Sequence, residues 1–292
     1  MNSQLGSLFG IVLALFLGFA VAFVAGGRIL AGLPLMVWCA LLAFVVQWLM
    51  FLPAWLFQTE RYYDLTGSMT YISLALLALV FSGRSEPGSL LIVAMILIWA
   101  LRLGIFLFTR IMDEGSDRRF ERIKPRFLRF LMTWTLQGLW VVVTSAAGLA
   151  AVSSGHPFPL SPLVILGALL WCVGFTVEVT ADRQKRLFRR SPENKEAFIC
   201  EGLWRYSRHP NYFGEIMLWT GIAVMALPVL AGWQYLTLIS PLFVYLLLTR
   251  VSGIRMLEAS AQRRWGDDPA YRTYLATTSR LLPLPPRIEP KL

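Results

Sequence analysis

The chain has 292 residues, of which 57% are hydrophobic and only 15% charged, and its mean hydropathy is +0.60. Soluble chains carry about a quarter charged residues, so an ordinary soluble domain is excluded. The three cysteines lie far apart in the sequence, which excludes a disulfide scaffold.

Charge-poor stretches follow one another through most of the first 250 residues. A bilayer core needs about 20 consecutive apolar residues per helix, and runs such as 9–25 are apolar on every face, unlike barrel strands. The sequence therefore predicts an all-α polytopic bundle forming one integral membrane domain. We predict eight spans, at residues 7–27, 33–57, 66–83, 88–109, 131–152, 159–181, 212–231 and 235–249. The third could be re-entrant, so seven spans are the alternative.

Basic residues predict the orientation. With eight spans and a cytoplasmic N-terminus, 24 of the 27 lysines and arginines fall on the cytoplasmic side, as the positive-inside rule requires. Both termini are then cytoplasmic. The net charge of +10 belongs to one membrane face, where it would attract anionic lipid headgroups or a polyanionic cofactor rather than nucleic acid.

Seven polar or hydroxyl-bearing residues follow the second span, from Gln58 to Asp64. A partly desolvated carboxyl at such a rim, here Glu60, can stay protonated and donate to a carbonyl oxygen. Tyr62 and Tyr63 could do the same. The alternative interpretation is an interfacial aromatic belt.

Charged residues recur along one side of the sixth span as it leaves the bilayer: Glu178, Asp182, Arg186, Arg189 and Arg190. The planar fork of arginine suits phosphate. The alternative is a basic helix that rests on anionic lipid.

The segment from Gly202 to Glu215 combines Arg208, His209 and a proline break directly before a span. An unwound segment that opens a helix can direct backbone N–H groups at a phosphate, while Asn211 and Glu215 offer contacts to an amide or a ribose. The segment therefore predicts a nucleotide site built from helix ends and loops.

The residues Arg208-His209-Pro210-Asn211-Tyr212-Phe213-Gly214-Glu215 resemble the C-terminal signature of the membrane steroid 5α-reductase family, and the resemblance extends from Trp55 to Pro286. The stretches 252–258 and 271–274 are typical of its bacterial relatives, which implies a bacterial inner membrane. The resemblance implies NADPH bound from the cytosolic side and reduction of a conjugated carbon–carbon double bond in an apolar, steroid-like 3-oxo lipid that enters from the bilayer.

By motif position, the resemblance implies a cofactor site within residues 110–292 and a substrate and catalytic end within 1–109. The predicted cofactor contacts are Arg110, Asp182, Arg186, Arg189, Tyr206, Arg208, His209, Asn211, Glu215 and Arg250. The family's catalytic tyrosine aligns with Trp99, which cannot donate a phenolic proton. Thr59 separates Gln58 from Glu60, which form an adjacent pair in the family. The predicted catalytic residues are therefore Glu60, Tyr62, Tyr63 and Gln58.

Two other functions remain open. Membrane methyltransferases resembling isoprenylcysteine carboxyl methyltransferase have a similar Arg-His-Pro segment and use S-adenosylmethionine, which carries no phosphate for the arginines to neutralise. A non-enzymatic transporter or assembly factor would explain Arg102 within the fourth span, but not the 202–215 segment. Two histidines and the absence of an H-E-x-x-H motif give no reason to expect a metal site.

Overall fold

The computed structural model describes residues 3–287, with side chains for all of these except residues 3 and 118. The α-helices of this range are α1 (Ser3–Ala25), α2 (Leu35–Leu56), α3 (Tyr63–Ser82), α4 (Pro87–Glu114), α5 (Arg118–Glu121), α6 (Phe127–Val152), α7 (Pro162–Arg190), α8 (Pro210–Ala226), α9 (Ser240–Leu246), α10 (Ile254–Trp265) and α11 (Pro269–Thr277). Strands β1 (Ile29–Leu30) and β2 (Leu33–Pro34) form an antiparallel hairpin. Short 3-10 helices cover Pro192–Asn194, Gly202–Arg205 and Gly232–Ile239, and a π-helical turn covers Leu247–Val251.

Seven helical stretches in the described range are long and apolar enough to cross a membrane: Gln4–Ala25, Leu35–Leu56, Tyr63–Ser82, Pro87–Glu114, Phe127–Val152, Pro162–Arg190 and Gly232–Trp265. The predicted polytopic helical bundle is confirmed, and the chain is an integral membrane protein. The third predicted span is α3, one continuous helix of 20 residues. The predicted seventh span corresponds to α8, which has only 17 residues. A total of eight spans therefore depends on α8.

The chain divides into two compact units. The first contains the residues up to Ile165 together with Ile222–Ser240. Its central helix is α6, which packs against α1, α2 and α3. Small residues allow this close packing: a Cβ atom at Gly138 would lie 2.8 Å from the ring of Phe44, and one at Gly148 would lie 2.8 Å from Ile222. Residues 110–165, which the sequence analysis groups with the C-terminal half, belong to this unit.

The second unit contains Leu166–Gly221 and the residues from Pro241 onward. It holds most of α7, the beginning of α8, and α10 and α11. Nearly all of the predicted cofactor residues therefore lie in one compact unit, and Arg110 is the exception.

Candidate functional site

Helices α7 and α8 approach each other through glycines. A Cβ atom at Gly214 would lie 2.5 Å from the carbonyl oxygen of Gly174 and 2.7 Å from the backbone nitrogen of Glu178. Because neither glycine has a side chain, the two backbones are in direct contact. The helices run antiparallel here, so the contact brings the part of α7 after Gly174 close to the start of α8.

A largely buried set of polar residues lies where the start of α8 meets α7. It consists of Glu178, Asp182, Asn211 and Glu215, and its three carboxylates are 2%, 6% and 8% exposed, respectively. The amide Nδ2 of Asn211 donates a hydrogen bond to Oδ1 of Asp182 over 3.2 Å. Buried carboxylates next to apolar helices are unfavourable unless they are paired or functional. The structure thus joins two predicted cofactor residues from different helices.

The segment before α8 is fixed against α7. The backbone N–H of Leu203 donates to Oε1 of Gln184 over 2.9 Å, and the indole N–H of Trp204 donates to the carbonyl of Ala181 over 3.0 Å. Gly202 has a φ of +58°, a left-handed conformation that favours glycine. These contacts set the position of the residues from Tyr206 to Asn211.

The C-terminal residues hold the other side of the same segment. The hydroxyl of Tyr274 donates to the carbonyl of Trp204, and that of Ser207 donates to the carbonyl of Leu281, each over 2.7 Å. The backbone N–H of Arg208 donates to the carbonyl of Ser279 over 2.8 Å. These partners are more than about 70 residues apart in the sequence, so no local pattern predicts this role of the tail.

Glu258 of α10 contacts two residues of this segment, although its position in the sequence gives no sign of this. Its carboxylate is 3.0 Å from Nη1 of Arg208, 2.7 Å from Nη2 of Arg280 and 3.6 Å from Nε2 of His209. The His209 ring also stacks on Tyr212, with 5.8 Å between centroids. Burial lowers the pKa of His209, and the neighbouring carboxylate acts in the opposite direction.

The remaining predicted cofactor residues are more exposed. Arg186 is partly buried, whereas Arg189, Tyr206 and Arg250 are exposed, the last in the π-helical turn. Arg110 lies in the first unit, 3.9 Å from the carboxylate of Asp64.

Glu60 is buried in the first unit, and both of its oxygens accept hydrogen bonds. Oε1 accepts from the backbone N–H of Asp117 over 2.7 Å, and Oε2 accepts from the ammonium of Lys124 over 2.5 Å. Glu60 is 4% exposed. These contacts hold the loop that follows α4 against the end of α2.

The other predicted catalytic residues have separate partners. Nε2 of Gln58 donates to the carbonyl of Trp55 over 2.8 Å, and the hydroxyl of Tyr63 donates to the carbonyl of Thr133 over 3.1 Å. Tyr62 is 48% exposed and stacks on Phe108.

Buried polar residues also lie inside the apolar helices of the first unit. Nε2 of Gln47 donates to Oγ1 of Thr70 over 3.0 Å, and the rings of Tyr71 and Trp99 meet edge to face at 5.0 Å. Neither Gln47 nor Tyr71 is charged at neutral pH, so the charges within the spans give no indication of them.

The residues of the second unit suit a phosphate-bearing dinucleotide. Basic side chains lie near an amide–carboxylate pair, and Nε of Arg208 and Nε2 of His209 are buried without a hydrogen-bond partner among the described residues. A bound ligand would supply such partners. Phosphate prefers arginine donors of this kind.

Comparisons with known proteins place the chain in a family. The family described as "Protein of unknown function (DUF1295)" matches residues 50–278, more than half of the chain. The chain is 31% identical over 78 residues to the chicken (Gallus gallus) Delta(14)-sterol reductase LBR, covering 22% of this chain and 12% of that protein. It is 33% identical over 90 residues to the rat (Rattus norvegicus) 3-oxo-5-alpha-steroid 4-dehydrogenase 1, covering 30% and 32%.

A probable O-methyltransferase, ustE of Ustilaginoidea virens, is 26% identical over 106 residues, covering 31% of this chain and 37% of that protein. The chain thus spans between 12% and 37% of the length of these relatives. No solved structure matches the chain. The family match covers both the Glu60 region and the α7–α8 site, and the chain therefore belongs to the DUF1295 family, which is a steroid 5α-reductase-like family.

Proposed function

We propose that the chain is an NADPH-dependent reductase of a conjugated carbon–carbon double bond in an apolar, steroid-like 3-oxo lipid. The observation that carries the proposal is the Asn211–Asp182 hydrogen bond beside the basic end of α7, in a chain whose relatives include a steroid dehydrogenase and a sterol reductase. The lipid would enter from the bilayer, and anionic headgroups would contact the basic face.

The second unit would hold the cofactor. NADPH supplies a hydride when it is bound. Asn211 and Asp182 would bind the carboxamide or a ribose, and Arg186, Arg189 and Arg208 would bind the phosphates. Burial of Asp182 excludes water from its hydrogen bond with Asn211, which strengthens that contact.

The first unit would supply a hydrogen-bond donor to the carbonyl oxygen of the substrate, where negative charge develops. Loss of one such donor commonly lowers the rate on the order of 100-fold. Our candidates are Glu60, Tyr62, Tyr63 and Gln58. The contacts favour Tyr62, because Glu60 already accepts two hydrogen bonds and Tyr63 already donates one.

The methyltransferase alternative has one specific observation in its favour, the similarity to the probable O-methyltransferase. S-adenosylmethionine carries a positive charge and no phosphate. The basic residues around Arg208 therefore suit it less well than they suit NADPH.

Thermal unfolding of the detergent-purified chain with NADPH, NADH or S-adenosylmethionine tests the proposal, because a ligand that binds the folded state raises the melting temperature. We expect NADPH to raise it most, and Asn211→Ala to reduce this shift. Gln262→Ala, an exposed position on α10, is the matched control. Stabilisation by S-adenosylmethionine and not by NADPH would replace the reductase with the methyltransferase.

A further inference from the structure

A hollow of about 460 Å³ opens within the first unit, where several of its long helices end in loops, and we call it the loop hollow. Its walls come from the α1–α2, α3–α4 and α6–α7 loops and from the beginning of the 3-10 helix Gly232–Ile239. The lining residues include Arg28, Arg84, Ser153, Ser154, His156 and Gln234. The proposed function gives none of them a role.

The loop hollow and Glu60 lie at opposite ends of the same helices. Glu60 lies between the end of α2 and the beginning of α3, whereas the hollow lies where α3 ends. The 20 residues of α3 span about 30 Å at 1.5 Å per residue. The hollow is therefore separate from the predicted catalytic residues and faces the other side of the unit.

Contacts within the chain fix the walls of the hollow. A Cβ atom at Gly27 would lie 2.7 Å from Oγ of Ser153, so the turn after α1 packs directly on the end of α6. Nε2 of Gln234 donates to the carbonyl of Ala25 over 2.9 Å, which ties the 3-10 helix to the same turn. A preorganised cavity of this kind lowers the entropy cost of binding.

Two arginines line the loop hollow. Nη1 of Arg28 lies 3.4 Å from the position that a Cβ atom would take at Gly83, the residue before Arg84. Arg84 is 2.6 Å from the carboxylate of Glu86, whereas Arg28 forms no ion pair with any residue that the structure describes. Both arginines lie outside the predicted cytoplasmic segments, so the positive-inside rule does not account for them. Their shared cavity favours an anion.

Ser154 adds a hydrogen-bond donor to this cavity. It is 3% exposed, and its Oγ is buried without a hydrogen-bond partner among the described residues. The hydroxyl of Ser153, by contrast, donates to the carbonyl of Leu149 over 2.8 Å. A buried hydroxyl without a partner is unfavourable, and an oxygen of a ligand in the hollow would accept its hydrogen bond.

Phosphate matches this set of donors better than a carboxylate does. The planar fork of arginine binds two phosphate oxygens at once. A phosphate monoester has three strong acceptor oxygens, so one group can contact both arginines and the Ser154 hydroxyl, whereas a carboxylate has only two oxygens.

Exposed apolar residues stand next to the lining residues in the sequence. Ile29 follows Arg28 and is 62% exposed, and Trp233 precedes Gln234 and is 78% exposed. Exposed apolar and aromatic side chains at the ends of spans are typical of the membrane interface, where the phosphates of phospholipids lie. A lipid headgroup is thus the nearest source of phosphate.

We propose that the loop hollow binds a phosphate group on the membrane face opposite Glu60. Arg28 and Arg84 neutralise its charge, and Ser154 donates a hydrogen bond to one of its oxygens. A phospholipid headgroup and a free phosphate ion share this chemistry. The proposal does not depend on the reductase function, because the residues that carry it belong to the first unit and are not among the predicted cofactor or catalytic residues.

Backbone hydrogen exchange of the full-length detergent-purified chain, in inorganic phosphate and in chloride at equal ionic strength, tests the site. We expect phosphate to slow exchange within residues 26–34, 82–86 and 153–156. Arg28→Gln should weaken this protection about tenfold in phosphate concentration, as loss of one charge-assisted hydrogen bond allows. Arg61→Gln, an exposed position next to Glu60, is the matched control and should leave it unchanged. Equal weakening by both variants would overturn the proposal.

Ser154→Ala separates binding from packing. We expect it to raise the melting temperature in chloride, because it removes a buried hydroxyl without a partner, and to reduce the protection that phosphate gives. A lower melting temperature in chloride together with unchanged protection would show that the hydroxyl serves packing, and would remove Ser154 from the site.

Photoactivatable phosphatidylglycerol in nanodiscs identifies the source of the phosphate. We expect the lipid to label residues 29–34 or 233–236, and Arg28→Gln to reduce this labelling. Protection by inorganic phosphate without lipid labelling would support the site and assign it to a free phosphate. If the lipid does not label these residues and phosphate does not slow their exchange, the proposal is wrong.

Discussion

The Glu60 carboxylate illustrates how contacts decide the role of a single residue. The sequence places Glu60 at the rim of an apolar helix, where a protonated carboxyl could act as a donor. In the structure its two oxygens face an ammonium, that of Lys124, and a backbone N–H. Both partners donate, so the carboxylate acts as an acceptor in this arrangement. A neighbouring hydroxyl group is then better suited to donate to a substrate carbonyl.

Tyr62 and Tyr63 should therefore respond differently to loss of the hydroxyl. We expect Tyr62→Phe to lower turnover of an enone substrate about 100-fold with little change in melting temperature. Tyr63→Phe should instead lower stability by about 1 kcal/mol, because the hydrogen bond to Thr133 is lost. Steady-state rates at saturating NADPH and thermal unfolding measure the two effects.

Glu60→Gln and Lys124→Met form the control for this assignment. Both disrupt the same ion pair, so both should lower the melting temperature similarly and leave the rate per folded molecule unchanged. A rate loss confined to Glu60→Gln would assign the proton donor to Glu60. If Tyr71→Phe abolishes activity and the other substitutions do not, the proton donor is Tyr71, whose ring packs against Trp99.

His209 predicts a pH dependence of stability. Burial lowers its pKa in the folded state below the ordinary value of 6.5. The unfolded chain therefore binds the proton more readily, and stability that is present above pH 6.5 is lost as the pH falls toward the folded pKa. We expect the melting temperature to fall less between pH 7.5 and 5.5 in His209→Asn than in the wild type. An equal fall in melting temperature in the variant and in the wild type would contradict a lowered pKa of His209.

At the scale of elements, hydropathy predicts the apolar helices but not their contacts. The spans could be predicted because each needs a long apolar run, which is visible in local sequence. The contact between Gly174 and Gly214 could not, because a glycine in an apolar run carries no signal of its partner. The same holds for the tail contacts of Tyr274 and Ser207, which join residues about 70 positions apart.

Because α7 and α8 are in close contact, adding one methyl group at Gly214 should strongly affect stability and cofactor binding. In Gly214→Ala, the new Cβ would lie 2.5 Å from the carbonyl oxygen of Gly174, so the helices must separate. We expect a loss of about 1 to 3 kcal/mol and weaker NADPH binding, because separating the helices would also separate Asp182 on α7 from Asn211 on α8. Thermal unfolding and NADPH titration measure both effects.

Gly6→Ala is the matched control, because among the described residues, apart from its chain neighbours and the backbone of its own helix, no atom lies within 4 Å of a Cβ at that position in α1. It should be neutral or slightly stabilising, since alanine is the better helix former. Equal effects of the two substitutions would contradict a close helix contact at Gly214.

At the scale of the whole molecule, the sequence predicted the polytopic helical architecture and placed most cofactor candidates in segments that fold into one compact unit. Charged residues beside apolar helices are rare, which makes them visible in sequence. The loop hollow was not predicted, because its lining residues come from loops that lie far apart in the sequence. Helix α8 remains the element on which the number of spans depends.

Reporter fusions test whether α8 crosses the membrane. The positive-inside distribution predicts that fusions after Pro192 and at the C-terminus read as cytoplasmic, whereas fusions after Ser153 and Gly232 read as external. The 17 residues of α8 are fewer than the roughly 20 that a bilayer core requires. Opposite readings after Pro192 and Gly232 would show that α8 crosses the membrane. Identical readings after these two residues would show that both ends of α8 lie on the same side of the membrane. An external reading after Pro192 would remove the cytosolic cofactor from the proposal, because the basic end of α7 would then face away from the NADPH pool.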